Sequence, residues 1–552
     1  MDTVKVVEPR VNVKHDVEKS HVVLMGGRRV TEQAYPSNNW QGLGQKPLQM
    51  SYTIEPPSNQ TIVDRYMKVR CYFEISCDQD LQLGTNDALR QYPIASLTEN
   101  INVQINGAGI NDNLGEKVHA YLCYGNDNAE RQKSSSTTPN APDAFQEYAD
   151  WQTYGSAKNP LANYGENSFD PRGGFPVEMI DSKTFRVVVT EGLLLSPFFS
   201  GVGNQEEGFV NIDKFLINFR FKNNLSQILS HSSAGNAITE VNVSMYQAPE
   251  ILVNYITPDL TTPIPSSQIL PYHSSQDYIK VVPTLLPGAS TNIIGDTVRL
   301  NQVPRRVYVF CRHQRSTSDH TTSDSFLRID RCNVMWNNES GVLNTASTQD
   351  LFELSKRNGC NLSWSQWYKY RGSVLCIELG KDIGLGDNEA PGVVGNYTIQ
   401  ISLDVTNTST ENFTAECYMV FMMEGTMTIM PGSAVTSLAN LTPDVVLASK
   451  MSPEVSHVEH NSLQGGGFFS GLKNFVNKVA HGVSSVANVA GKIAGPVLSV
   501  VPGAAPVLSA IQTAGKVADV ASNLTGGSYA GGRLAGGRIA GGRMSRRHLK
   551  QY

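Results

Sequence analysis

The chain has 552 residues, more than one core organises at roughly 100–200 residues per domain, so at least two domains are expected. Charged residues are 17% and hydrophobic residues 40% of the total, which supplies packed cores and excludes a protein of long salt-bridged helices. The net charge of -5 is unevenly divided: residues 461–552 hold ten Lys or Arg and one Asp, +9, which leaves -14 on residues 1–460.

Residues 1–47 read as an N-terminal arm. Met1 to Asp16 alternates charges with valines and has no apolar stretch before a small-residue cleavage site, so no secretory signal is read there. The eight cysteines are scattered without CxxC pairs in a chain too large to need disulfide staples, and are expected as buried thiols.

From residue 48 to residue 432, short apolar or alternating runs are separated by Gly, Pro, Asn and Asp, the pattern of an all-β chain. The first set, residues 48–254, includes Tyr66 to Ile75, Asn100 to Asn106, Phe185 to Val189 and Phe215 to Phe221. In the second of these runs, period-two alternation places Ile101, Val103 and Ile105 on one buried face. Polar residues 125–167 read as a surface loop. Pro258, Pro263, Pro265 and Pro271 mark a connector over 255–272, since closely spaced prolines disrupt strand pairing. The second set, residues 273–432, contains Tyr278 to Val282, Arg306 to Phe310, Ser373 to Leu379, Tyr397 to Val405 and Cys417 to Ile429. Sets of this size suit jelly-roll barrels with long loops better than small sandwiches.

A linker over 433–466 leads to a tail of different character. Over 467–525, Phe468, Leu472, Phe475, Val476, Val479, Val483, Val486, Ala490 and Ile493 recur at helical spacing. They form an apolar face that begins with Phe468, Phe469, Leu472, Phe475, Val476 and Val479. Residues 493–515 are uncharged, but Pro496, Pro502 and Pro506 interrupt them, so shallow bilayer insertion or burial under a shell suits them better than a spanning helix. Residues 526–552 repeat Ala-Gly-Gly-Arg three times and cannot form a core. Their cations Arg533, Arg538, Arg543, Arg546, Arg547 and Lys550 suit phosphate neutralisation without base reading.

No HExxH, GxxxxGK[ST], GxGxxG after a strand or GxSxG is present, and His457 and His460 lie in the linker without companion ligands. No catalytic, metal-binding or cofactor-binding residue is assigned. One motif does recur: Leu24-Met-Gly-Gly27, Leu463-Gln-Gly-Gly466, Leu524-Thr-Gly-Gly527, Leu534-Ala-Gly-Gly537 and Ile539-Ala-Gly-Gly542 share the form aliphatic-x-Gly-Gly. This resembles the substrate consensus of the adenovirus-type maturation protease. Two glycines lie flat in a narrow cleft while the aliphatic side chain fills a pocket. The candidate cleavage positions are Gly27/Arg28, Gly466/Gly467, Gly527/Ser528, Gly537 and Gly542, against the alternative that these are flexible turns. Residues 465–478, GGGFFSGLKNFVNK, look like the amphipathic segment of the adenovirus internal membrane-lytic protein.

The body carries a second resemblance. Residues 373–385, SVLCIELGKDIGL, and 396–407, NYTIQISLDVTN, resemble the second barrel of double jelly-roll major capsid proteins of the adintovirus, Polinton and virophage group, distant relatives of adenovirus hexon. The resemblance implies an all-β fold of two consecutive jelly rolls followed by a partly helical or disordered basic tail. It further implies homotrimers forming pseudo-hexagonal capsomers in an icosahedral shell, with penton or minor capsid proteins, a maturation protease, nucleic acid and membrane as further partners. The protein would reside in the virion after synthesis in the host cytoplasm and assembly there or in the nucleus. The tail departs from the simple pattern, as a fusion or as a precursor. A parvovirus-like single jelly roll is the structural alternative, opposed by two strand sets of similar size. A membrane-perforating toxin lacks its secretion signal here, and a lectin has no use for Gly-Gly processing.

Overall fold

Alternation of apolar and polar side chains is what builds each sheet. The FLINFRF run of Phe215–Phe221 is a strand whose Phe215, Ile217, Phe219 and Phe221 all point into a core, and Ile101, Val103 and Ile105 are buried together as their spacing requires. The computed structural model describes residues 29–58, 60–83, 87–124, 177–198, 208–231, 236–257, 264–337, 339–439, 441–444 and 446.

The first barrel contains β1 (Arg29–Pro36), β2 (Gln49–Ile54), β3 (Ile62–Val63), β4 (Lys68–Cys77), β5 (Asp87–Leu89), helix α1 (Pro93–Leu97), β6 (Thr98–Ile105) and β7 (Ala108–Asp112). It continues through helix α2 (Val118–Tyr121), β8 (Val177–Met179), β9 (Thr184–Gly192), β10 (Phe215–Phe221), β11 (Leu229–His231), β12 (Val241–Met245) and β13 (Glu250–Thr257). One sheet runs β1-β13-β4-β9-β8, with β12 beside β4 and β3 beside β13; the other runs β2-β10-β6-β7, and β11 pairs with β5. All ladders are antiparallel. Side chains from both large sheets, Val69, Phe73 and Val187 from one and Tyr52, Val103 and Ile217 from the other, meet in one core. Asn106 and Gly107 turn β6 into β7 with φ of 44° and 88°, the conformation a two-residue hairpin demands and an Asn-Gly pair adopts most readily.

The second barrel contains β14 (Gln268–Leu285), β15 (Ser290–Ile294), β16 (Val298–Gln302), β17 (Arg306–His313), β18 (Arg328–Trp336), β19 (Glu339–Val342), helix α3 (Thr348–Arg357), β20 (Val374–Glu378), β21 (Val394–Thr406), β22 (Phe413–Met430) and β23 (Ser433–Leu438). Its sheets run β14-β22-β17-β20, with β23 beside β22, and β15-β21-β18-β19, with β16 beside β21. Val307, Met419 and Phe421 face Val334, Ile401 and Leu403 across the core. Helix α3 is absent from the sequence reading, although its start carries a capping box: Ser347 N donates to Asp350 Oδ2 at 2.8 Å while Ser347 Oγ accepts from Asp350 N.

β14 and β22 are 18 residues each, long enough to extend roughly 60 Å. Pro271 lies inside β14, in register with Thr426, rather than in an irregular connector. The reason is strand position. His273 N points away from β22, to Ser196 Oγ at 3.0 Å, so by alternation Pro271 also turns its donor-less nitrogen toward the free edge, where no ladder bond is lost.

Candidate functional site: the buried junction between the barrels

The two barrels exchange core residues. Leu270, Tyr272, Met427 and Ile429, from the end of the long β14–β22 ribbon, belong to the first barrel's core. Ala120, Cys123 and Tyr124, which follow β7, belong to the second's. Tyr124 Oη donates to Val374 O at 2.6 Å, and its ring meets Tyr308 edge-on at 5.2 Å. Tyr121 packs against the same Tyr308 at 5.4 Å. Asn106, in the β6–β7 turn, donates to Met430 O at 3.2 Å and to Asn211 O at 2.8 Å.

Between these apolar exchanges lies a charged layer. A tight turn at Leu114–Glu116 brings it into place, and Gly115 is needed there because a Cβ would stand 2.3 Å from Thr98 O. Glu116, from the first barrel, forms ion pairs with Lys222 Nζ at 2.9 Å and with Arg312 Nη1 of β17 at 2.9 Å. Burial works against its ionisation, but Arg312 and Lys222 outweigh burial and hold the carboxyl at about 2. Lys117, 1% exposed, donates to Asp112, to Ser275 Oγ at 2.7 Å and to Asp277 Oδ2 at 3.0 Å. It thereby ties β7 to β14. Arg90 bonds Asp324 Oδ1 at 3.0 Å and Asp319 O at 2.8 Å.

His119 lies beside the same carboxylate, with Nε2 at 3.3 Å from Asp324 Oδ1 and 3.0 Å from Ser96 Oγ. Burial pushes its imidazole down to about 3; Asp324 opposes this, and Arg371, Arg312 and Arg90 reinforce it. Burial disfavours the Asp324 anion, yet His119, Arg90 and Arg371 hold its carboxyl at about 2. The loop between β17 and β18 completes the junction: Ser318 O accepts from Gln227 Nε2 at 2.8 Å, and His320 Nε2 donates to Ile238 O at 3.0 Å. His320 O in turn accepts from His231 N at 2.8 Å.

These groups pair with one another across the two barrels, so the layer fixes the barrels in one orientation. A buried pair is no guarantee of stability, but breaking one partner strands the other in a low dielectric, and that makes the arrangement specific. No local motif in the sequence announces the junction. Its signal is visible as the charged pair Glu116-Lys117 between Leu114-Gly115 and the Val118 to Tyr124 stretch. The partners across the junction are far away in sequence, as with Glu116 and Arg312, separated by 196 positions.

Gly27, Arg28, Gly466, Gly467, Gly527, Ser528, Gly537 and Gly542, the apolar face from Phe468 to Val479, and the tail cations from Arg533 to Lys550 all lie outside the described residues. Among the described residues, no helix is long and apolar enough to cross a membrane.

Two family models match the chain, the Sputnik virophage major capsid protein 1st domain over residues 1–184, and the major capsid protein V20 C-terminal domain over residues 277–370 and 368–425. The putative capsid protein V20 of Sputnik virophage is 32% identical over 551 residues, covering 91% of each chain. Among solved structures, the 3.5 Å cryo-EM structure of the Sputnik virophage superposes with a TM-score of 0.72 at 30% identity, covering 84% of this chain and 98% of that one. The mavirus major capsid protein crystal structure has the same fold, with a TM-score of 0.63 at 16% identity over 82% of this chain and 96% of that chain. The all-β expectation of two consecutive jelly rolls therefore holds.

Proposed function

Since the chain belongs to the Sputnik virophage major capsid protein family, and is thus a structural protein of the virion and not an enzyme, we propose that three copies associate into a pseudo-hexagonal capsomer that tiles the icosahedral shell. The observation that carries this reading is the junction: two barrels locked by exchanged core residues make one rigid body, and three such bodies present six barrels to a lattice. Exposed Ile279 and Val281 on the free edge of β14, with Leu286 and Ile294 beyond them, support it by leaving apolar surface for neighbouring copies. Light scattering of purified residues 28–460 tests it: a trimer is expected, and a monodisperse monomer overturns it.

The proposal extends to the tail. Cleavage by a Gly-Gly-specific maturation protease after Gly466 releases residues 467–552, whose apolar face binds membrane and whose arginines neutralise packaged nucleic acid. The same protease acts at Gly27, Gly527, Gly537 and Gly542, and penton or minor capsid proteins fill the remaining lattice positions. Synthesis is placed in the host cytoplasm, with assembly there or in the nucleus. Intact mass spectrometry of the protein from its particle is the test: a body ending at Gly466 supports processing, and a single full-length mass reduces the motifs to linkers. A peptide of residues 467–495 is expected to gain helicity on lipid vesicles and to release entrapped dye; the absence of both changes overturns the membrane role.

A further inference from the structure

The two central strands of the second barrel's main sheet, β17 and β22, bring Cys311 and Cys417 directly opposite each other. Their position in the ladder is readable from two backbone hydrogen bonds. Gln314 N donates to Thr414 O at 2.9 Å, so position 314 faces β22, while Cys311 O accepts from Leu327 N at 2.9 Å and so faces away. Cys311 and Cys417 are therefore a non-hydrogen-bonded pair, the closer of the two kinds of antiparallel pair, with Cα atoms about 4.5 Å apart. That lies within the roughly 4.4–6.8 Å range that a disulfide spans.

Both side chains point into the core with no exposed surface, and all eight cysteines are free thiols in the structure. Among the described residues no other two cysteines stand opposite one another in a ladder; Cys360 bridges Tyr124, the neighbour of Cys123. Cys71 faces Val189, Cys77 faces Val241, Cys332 faces Leu403 and Cys376 faces Tyr308. Cys332 shares the core with Cys417 but belongs to the facing sheet, about 10 Å away, beyond the reach of a direct bond.

We propose that Cys311 and Cys417 form a redox staple, a dithiol in reducing surroundings and a cross-strand disulfide in oxidising ones. With glutathione disulfide as the oxidant, one protein thiolate attacks its S–S bond and releases one glutathione thiolate. The second protein thiolate then attacks the mixed disulfide and releases the other glutathione. The two protein thiols lose two electrons and two protons in all, and two glutathione thiols appear. The hydrogen bond shared with Cys417, together with burial, raises the Cys311 thiol well above its ordinary range, so exchange proceeds through openings of the barrel and is slow. Once closed, the bond links strands whose connection is roughly a hundred residues long, a large constraint on the unfolded chain.

The test incubates the full-length protein in buffers of reduced and oxidised glutathione, quenches with acid, alkylates and digests with trypsin. Cys311 and Cys417 fall in separate peptides, residues 307–312 and 382–450, each with a single cysteine. The expected result is a linked pair of these peptides, lighter by two hydrogens, that appears only in the oxidised buffer and is reversed by dithiothreitol. A rise in the denaturation midpoint accompanies it. Cys311→Ala or Cys417→Ala abolishes both the link and the rise, while Cys332→Ala retains them. Complete alkylation of all eight thiols after prolonged native oxidation, or a link between other cysteines, overturns the proposal.

Discussion

Glu116 of the first barrel and Arg312 of the second meet at 2.9 Å with side chains 6% and 12% exposed, and Lys222 completes the triad from the other side. One carboxylate thus satisfies two cations that sit in different barrels, so its removal is felt in both.

Glu116→Ala is expected to destabilise the folded chain by about 3–5 kcal/mol, because Lys222 and Arg312 are left buried without their counter-charge. Chemical denaturation measures it. A double-mutant cycle with Arg312→Met should show coupling, with the double variant recovering part of the loss, whereas strictly additive losses would disprove the pairing.

Acid should loosen the junction in two stages. His119 and His273, held at about 3 and about 4, resist protonation in the fold but not in the unfolded chain. Their effect is absent above pH 7 and grows as pH falls below about 6.5, reaching about 2 kcal/mol each near pH 5. Glu116 and Asp324, both held at about 2, add a second loss as pH falls through the ordinary carboxylate range. Asp277 and Glu424, whose carboxyls burial raises, offset part of it. The denaturation midpoint measured from pH 8 to pH 3 should trace this course, and His119→Gln should flatten its first stage.

Tyr124→Phe removes the donor to Val374 O and should cost about 1 kcal/mol, while Tyr124→Ala empties a ring-sized space in the second barrel's core and should cost about 3–5 kcal/mol. Since residue 124 belongs to the first barrel's half of the chain, both losses should appear in one unfolding transition followed by probes in either barrel. Two separate transitions, with only one displaced, would show that the barrels unfold independently.

Gly372→Ala should prevent normal folding or lower stability by more than about 3 kcal/mol, since the residue has φ +84° and a Cβ there would stand 1.8 Å from Phe326 O. Gly288→Ala, at a φ of +73° with open space around it, is the control and should cost only about 1–2 kcal/mol. Thermal melts of the two variants measure the difference.

Much of the fold was legible because strand periodicity is local. Phe215–Phe221 was read with its true ends, and most other runs overlap a strand to within a few residues. β18, with Ile329, Cys332 and Val334 buried, is hidden in the sequence because charged residues interrupt it and a bulge between Ile329 and Arg331 breaks its alternation. In the sequence Pro271 reads as a breaker, because whether a proline interrupts a ladder depends on which side of the strand has a partner, and that is not encoded nearby.

Composition and period-two patterning by themselves determined an all-β body and an electrostatically distinct tail, since both follow from the order of side chains along the chain. Tertiary structure alone decided that Glu116 finds Arg312, that Tyr124 completes the opposite barrel, and that Cys311 faces Cys417. A strand's partner is chosen by packing over its whole length, and a buried charge reveals its counter-ion only when distant segments have been brought together and water has been removed.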